Sequence, residues 1–115
     1  MDAEELKVRT KEFAKRVVQL CRALPRTQEA NLIGKQVFRS GTSVGANYRA
    51  ACRGRSRAEF IAKLGIVLEE ADETQYWLEI LAETEIVKAD LLAPLASECR
   101  ELVAIFIASL NTAKG

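Results

Sequence analysis

Arginines are the residues of this chain whose type and spacing suggest the clearest chemistry. Residues 39–60, RSGTSVGANYRAACRGRSRAEF, contain five arginines between two strongly helical segments. Arginine presents a planar fork of donors that binds pairs of phosphate or carboxylate oxygens. Arg49, Arg53 and Arg57 lie four residues apart and would share one helix face, although Gly54 is expected to turn the last one away. The candidate phosphate-contacting residues are Arg39, Arg49, Arg53, Arg55, Arg57 and Lys63.

The same arginines have alternative uses. They could be solvated, or they could pair with carboxylates of residues 69–73 (Glu-Glu-Ala-Asp-Glu) or of a neighbouring subunit. Tyr48 is the only aromatic residue among them, whereas platforms that stack single strands usually carry several. The pattern alone therefore leaves nucleic-acid contact and salt-bridge formation both open.

The sequence predicts no enzyme, no cofactor and no metal site. The chain has no histidine, so catalysis that relies on a histidine base is excluded. A di-iron bundle is excluded for the same reason, since it needs Glu-x-x-His pairs on two helices. Cys21, Cys52 and Cys99 are widely spaced, form no Cys-x-x-Cys motif and are expected to be small buried side chains.

The charges are segregated along the chain although the net charge is only +1. Residues 1–63 hold 14 Lys and Arg against 6 Asp and Glu, a net +8, and residues 64–115 hold 3 against 10, a net −7. This asymmetry indicates internal pairing, a basic surface for an anionic partner, or complementary contacts between subunits.

Four amphipathic helices must position these side chains, at about residues 3–24, 28–53, 57–83 and 90–112. Thr27, Ser56 and Asp90 are predicted N-caps, and Ser56 with Glu59 forms a capping-box pattern. Gly54 is expected to end the second helix in a left-handed conformation. Short connections favour antiparallel neighbours, so the predicted fold is all-α: a single-domain, up-down-up-down four-helix bundle over residues 1–115.

Helix spacing also assigns packing roles. Gly41 and Gly45 within the second helix indicate the close approach of a neighbouring backbone, because interior glycines cost about 1 kcal/mol each relative to alanine. Ser40 and Asn47 lie near the inward line and are predicted to be polar core residues with a structural role. From Leu102 to Leu110 the fourth helix is apolar almost all round, which predicts a homo-oligomer interface. The candidate interface residues are Tyr76 and Trp77 of the third helix and Val103, Phe106 and Ile107 of the fourth.

With the helices placed, residues 39–81 resemble the four-helix-bundle proteins encoded in intervening sequences of 23S ribosomal RNA genes. The shared pattern is an Arg-Ser pair, small residues, Ser-[Ile/Val]-x-x-Asn, a Gly turn, Arg-Ser and Glu-Phe before a long helix rich in Leu and Glu. One departure follows Asn47, where Tyr-Arg-Ala-Ala replaces the commoner Ile-Ala-Glu-Gly. No role of that glutamate can be carried over.

The resemblance implies antiparallel bundles that assemble into rings, typically pentamers, mostly without an assigned activity. A related group, the accessory proteins of diversity-generating retroelements, has a basic surface and works with nucleic acid. We therefore expect a non-enzymatic oligomeric scaffold or adaptor, with RNA or DNA as the candidate partner of its basic face. The alternative is a purely structural or protein-interaction ring.

We also expect a cytoplasmic protein without a membrane partner. The longest apolar run, residues 102–110, is too short to span a bilayer. The N-terminal residues carry acids where a signal peptide needs a positive flank and an apolar stretch.

Overall fold

The computed structural model describes residues 1–115, and it is all-α, with four helices and no strands. The helices are α1 (Ala3–Ala23), α2 (Gln28–Cys52), α3 (Arg57–Glu83) and α4 (Ala89–Lys114). They form an elongated body of 45 × 20 × 19 Å. No helix is long and apolar enough to cross a membrane.

Side-chain caps begin the first three helices. Asp2, Thr27 and Ser56 each accept a hydrogen bond from a backbone N–H of the first turn, at 2.8, 3.2 and 3.1 Å respectively. The caps predicted at Thr27 and Ser56 are therefore confirmed. The reciprocal bond of the predicted capping box is not formed, because the carboxylate of Glu59 pairs with Lys63 at 3.3 Å and does not accept from the Ser56 N–H.

Two details of the predicted helix ends are wrong, although Gly54 does directly follow Arg53, the C-cap of α2, as predicted. Lys88, and not Asp90, is the N-cap of α4 and makes no side-chain cap bond, while Asp90 lies in the first turn, where its charge favours the helix dipole. Gly54 does not have a positive φ, because the N–H groups of Arg53 and Gly54 already close the end of α2 onto Ala50 and Ala51 carbonyls. Glycine is still suited to this turn, since a Cβ there would lie 3.0 Å from the Ala51 oxygen and 3.2 Å from the Phe60 nitrogen.

One hydrophobic core runs along the bundle and takes residues from all four helices. Phe13, Val44, Leu64 and Phe106 are almost completely buried within it. Each helix packs closely on the next one in the chain, whereas α1 and α4 approach each other less closely.

The α1–α2 seam is unusually tight because three glycines of α2 face α1. A Cβ at Gly34 would lie 2.8 Å from Leu24 Cδ1, and one at Gly41 would lie 2.7 Å from Val17 Cγ2. A Cβ at Gly45 would lie 3.2 Å from Thr10 Oγ1 and 3.3 Å from the Thr10 carbonyl carbon. The predicted close approach of a neighbouring backbone is confirmed at Gly45, whereas at Gly41 the neighbour is the Val17 side chain.

Candidate nucleic-acid interface

A cleft of about 310 Å³ lies on the α1–α2 seam, between the N-terminal half of α1 and the C-terminal end of α2. Four cations and a single carboxylate, with one exposed valine, line it. The lining residues are Glu4, Lys7, Val8, Lys11, Arg49 and Arg53. Because α1 and α2 are so close at Gly45, cations from both helices converge on this one cleft.

Three of the four cations in this first basic cleft have no carboxylate partner. Lys7 pairs with Glu4 at 3.0 Å, whereas Lys11, Arg49 and Arg53 are exposed and take part in no ion pair. Unpaired, exposed cations on one seam can bind the oxygens of a phosphate backbone without reading its sequence.

A second cleft, of about 600 Å³, lies at the other end of the same seam, around the turn that joins α1 to α2. Arg22, Arg26 and Lys35 line it, and none of its twelve lining residues is acidic. All three cations are exposed and free of ion pairs. The α1–α2 seam thus carries unpaired positive charge at both ends.

The remaining predicted cations lie outside these clefts. Arg39 faces α3, where it pairs with Glu70 at 3.0 Å and with Glu73, and the hydrogen bond from Arg39 lowers the pKa of Glu73. Arg57 begins α3 and donates to the Ala113 carbonyl. Arg39 therefore forms salt bridges with the carboxylates of residues 69–73, which was the alternative to nucleic-acid contact.

Lys63 and Arg55 complete the predicted set. Lys63 pairs with Glu59 on its own helix. Arg55 is exposed in the turn between α2 and α3 and forms no ion pair. Of the six predicted cations, the structure brings only Arg49 and Arg53 together in one cleft.

An ion-pair cluster separates the basic seam from α4. Arg9 donates to both carboxylate oxygens of Glu98, at 2.7 and 2.6 Å, and to Glu101 at 3.1 Å. These bonds raise the pKa of Arg9 above its ordinary value. Arg9 is therefore committed to the α1–α4 contact and does not add to the seam.

The polar core prediction holds for Ser40 and fails for Asn47. Ser40 is fully buried, donates to the Gln36 carbonyl at 2.9 Å and accepts a hydrogen bond from Thr74 at 2.8 Å across to α3. Asn47 is only partly buried, and its amide donates to the Ser43 carbonyl of its own helix at 2.9 Å. It lies on the flank of α2, so its bond is local and does not cross the bundle.

The predicted oligomer-interface residues divide into three groups. Phe106 is fully buried against Tyr48, with ring centroids 5.8 Å apart, so its assignment to an interface is wrong. Val103 and Trp77 are partly buried against the core. Tyr76 and Ile107 are 54% and 46% exposed and remain candidates for contact with another subunit.

Sequence analysis missed the α1 half of the first cleft and the whole of the second. Lys7, Lys11 and Lys15 follow one another at intervals of four, which places them on one helix face. This spacing is enough to predict a basic face on α1 from the sequence. Only the pairing of α1 with α2 shows which arginines this face meets.

The comparisons with known proteins agree on the family of the chain. The family model described as 23S rRNA-intervening sequence protein matches residues 4–108. A crystal structure of a protein of unknown function from the S23 ribosomal protein family of Bacteroides thetaiotaomicron is 40% identical, with a TM-score of 0.89. The match covers 96% of this chain and 99% of that one. None of the curated proteins compared with the chain matches it.

Proposed function

The chain belongs to the family of 23S rRNA-intervening sequence proteins, and we propose that it is a non-enzymatic, self-associating helical scaffold whose α1–α2 seam binds RNA or DNA. The observation that carries the proposal is the convergence of Lys11, Arg49 and Arg53, all exposed and unpaired, on one cleft. A second cleft with three unpaired cations and no acid continues the same seam. Phosphate contacts supply most of the affinity in sequence-independent nucleic-acid binding.

The scaffold is an antiparallel, up-down-up-down bundle. Residues of α1 meet residues of α2 in reverse order, as the approaches of Thr10 to Gly45 and of Leu24 to Gly34 indicate. The contact of Arg57 at the start of α3 with Ala113 at the end of α4 supports the same relation for that pair. In this arrangement the first basic cleft and the second lie at opposite ends of one seam.

Self-association is supported by apolar side chains that the bundle leaves outside. Tyr76 and Ile107 are about half exposed, and Ile66, on α3, is 46% exposed. Exposed large apolar side chains are typical of surfaces that contact another protein. A ring, with five subunits as the family resemblance implies, would cover them while leaving the α1–α2 seam to a partner.

A non-enzymatic role fits the chemistry of the clefts. Their cations are not accompanied by a nucleophile and a base within hydrogen-bonding distance. Cys21, which lines the second cleft, has its pKa raised by burial, which keeps it protonated and poorly nucleophilic.

The proposal is tested by reversing charge in the first basic cleft. Arg49→Glu/Arg53→Glu should lose binding to a fluorescein-labelled oligonucleotide, measured by anisotropy at about 50 mM salt. If four cations contact a single strand, log Kd of the unmodified protein should rise with log salt with a slope of about 2.8. Arg53→Glu alone, which should weaken binding, has a matched control in Arg100→Glu, because Arg100 is an exposed, unpaired arginine on α4 and each variant reverses one charge.

Sedimentation of the same variants separates the proposal from a purely structural ring. An unchanged subunit count with lost binding supports the nucleic-acid function. A change in the subunit count of Arg53→Glu, or the absence of salt-dependent binding by the unmodified protein, would contradict it. A monomer at micromolar concentration would contradict the scaffold.

A further inference from the structure

The cleft at the α1–α2 turn has a feature that phosphate binding does not require: an exposed phenyl ring. Phe38 lines this cleft together with Arg22, Arg26 and Lys35, and 48% of its surface is exposed to solvent. Burying an aromatic ring is worth more to folding than leaving it half exposed. A ring at the surface beside three cations offers a ligand both a flat apolar face and positive charge.

The shape of the cleft leaves room beside this ring. Gly34, four residues before Phe38, does not add to this room, because the Leu24 side chain already packs against it: a Cβ there would lie 2.8 Å from Leu24 Cδ1. Leu24 and Cys21 both line the cleft, and the Cys21 thiol donates to the Gly34 carbonyl at 3.6 Å. The volume of about 600 Å³ falls within the range of small-molecule sites in proteins.

The charge around the ring is uniformly positive. None of the residues that line the cleft is acidic, and Cys21 remains a neutral thiol because burial raises its pKa. Arg22 and Arg26 come from α1 and from the turn, whereas Lys35 and Phe38 come from α2. Phosphates can therefore be bound on both sides of a base that lies on the ring.

We propose that this cleft holds an unpaired base of a single-stranded nucleic acid, stacked on Phe38, with its flanking phosphates bound by Arg22, Arg26 and Lys35. The inference rests on the proposed function and adds a substrate class to it. Lys35 and Arg49 lie 14 residues apart on α2, or roughly 21 Å at the rise of an α-helix. A strand that leaves the Phe38 cleft along the seam therefore reaches the first basic cleft within a few nucleotides.

Duplexes should be discriminated against at this cleft. The bases of a duplex are paired and stacked on one another, so none can lie on Phe38 unless it leaves the helix. Single-stranded bases are free to stack on an aromatic side chain, and each such contact contributes measurably to affinity. The α1–α2 seam should therefore bind single strands more tightly than duplexes of the same length.

The test compares Phe38→Ala with the unmodified protein on two probes of about 20 nucleotides, a fluorescein-labelled oligo(dA) strand and a mixed-sequence duplex. Phe38→Ala should weaken binding of the single strand about tenfold, and should change duplex binding less than about twofold. Phe38→Tyr should retain the affinity for the single strand, because its ring stacks equally well. Leu91→Ala, which removes an exposed apolar side chain of α4 outside both clefts, should leave both affinities unchanged.

Two outcomes would overturn the inference. An unchanged single-strand affinity in Phe38→Ala, with circular dichroism like that of the unmodified protein, would show that no base lies on the ring. Competition by adenosine monophosphate that depends on Phe38, without any effect of Phe38→Ala on the oligonucleotide, would assign the cleft to a free nucleotide instead of a strand.

Failure of the inference can be told apart from failure of the proposed function. If Arg49→Glu/Arg53→Glu abolishes binding and Phe38→Ala does not affect it, the seam binds nucleic acid but the stacking site is refuted. If the unmodified protein binds neither probe at low salt, the proposed function itself is refuted.

Discussion

Replacing Gly41 with Ala should destabilise the bundle, whereas the same replacement of Gly65 should stabilise it. A Cβ at Gly41 would lie 2.7 Å from Val17 Cγ2 and 2.9 Å from Val17 Cγ1, while one at Gly65 on α3 would meet no atom within 4 Å. The two substitutions are chemically identical and both lie inside helices. They differ only in what the added methyl group touches.

The size of the difference follows from two opposing effects. Glycine to alanine inside a helix is worth about 1 kcal/mol in helix propensity at either position. Overpacking of a well-packed core costs about 1–3 kcal/mol, and Val17 is completely buried with a stiff, β-branched side chain that cannot turn aside. The free energy of unfolding should rise by about 1 kcal/mol in Gly65→Ala and fall by about 0–2 kcal/mol in Gly41→Ala.

Urea unfolding followed by circular dichroism measures both changes. The transition midpoints should move in opposite directions with similar slopes, since neither variant alters the area exposed on unfolding. In a Val17→Ala background, which removes the two methyl groups that obstruct the new Cβ, Gly41→Ala should become stabilising. If Gly41→Ala were as stable as Gly65→Ala, the close packing of α1 on α2 would not have the energetic cost inferred from the geometry.

Two further predictions concern polar groups of α2 and α3. Hydrogen bonds from Arg39 and Trp77 lower the pKa of Glu73 from its ordinary value of 4.5. The stability that the ionised Glu73 provides should therefore be complete above pH 4.5 and be lost as the pH falls through the lower folded-state pKa. For this partly exposed group the loss should stay below about 1 kcal/mol. The single tryptophan, Trp77, donates to Glu73 at 3.1 Å, so its fluorescence should report the titration, and a titration that persists in Glu73→Gln would refute this assignment. Thr74 donates to Ser40 at 2.8 Å in the core, so Ser40→Ala and Thr74→Val combined should cost less than the sum of the single changes by about 0.5–1 kcal/mol in unfolding experiments; strictly additive costs would mean that this hydrogen bond contributes nothing.

The parts of the structure that depend on neighbouring residues in the sequence were predictable. The caps at Thr27 and Ser56 need only a side-chain oxygen three residues before a free N–H, and the close packing at Gly41 and Gly45 follows from the cost of glycine inside a helix. Phe106 shows where this logic stops. On a helix that is apolar nearly all round, the sequence does not reveal which apolar stripe faces the core.

The candidate site was only half predictable for a related reason. Arg49 and Arg53 are conspicuous because they fall in a distinctive segment, but Lys7 and Lys11 join them only through the packing of α1 on α2. The sequence gives no reason to treat Arg39 differently from Arg49, yet Arg39 faces the carboxylates of α3 and pairs with them. The register between helices decides which cations are free, and that register is a tertiary property.

The near-neutral net charge does not argue against a polyanionic partner, because the charges of the two halves do not act at the same place. At the edges of the basic seam, carboxylates of α3 and α4 form salt bridges with Arg39 and Arg9. The other carboxylates of α3 and α4 line neither cleft, and the one acid that does line a cleft, Glu4 of α1, pairs with Lys7. A strand bound along the α1–α2 seam would therefore respond to the local cations there, and its affinity should depend on those few residues far more than on the total charge of the chain.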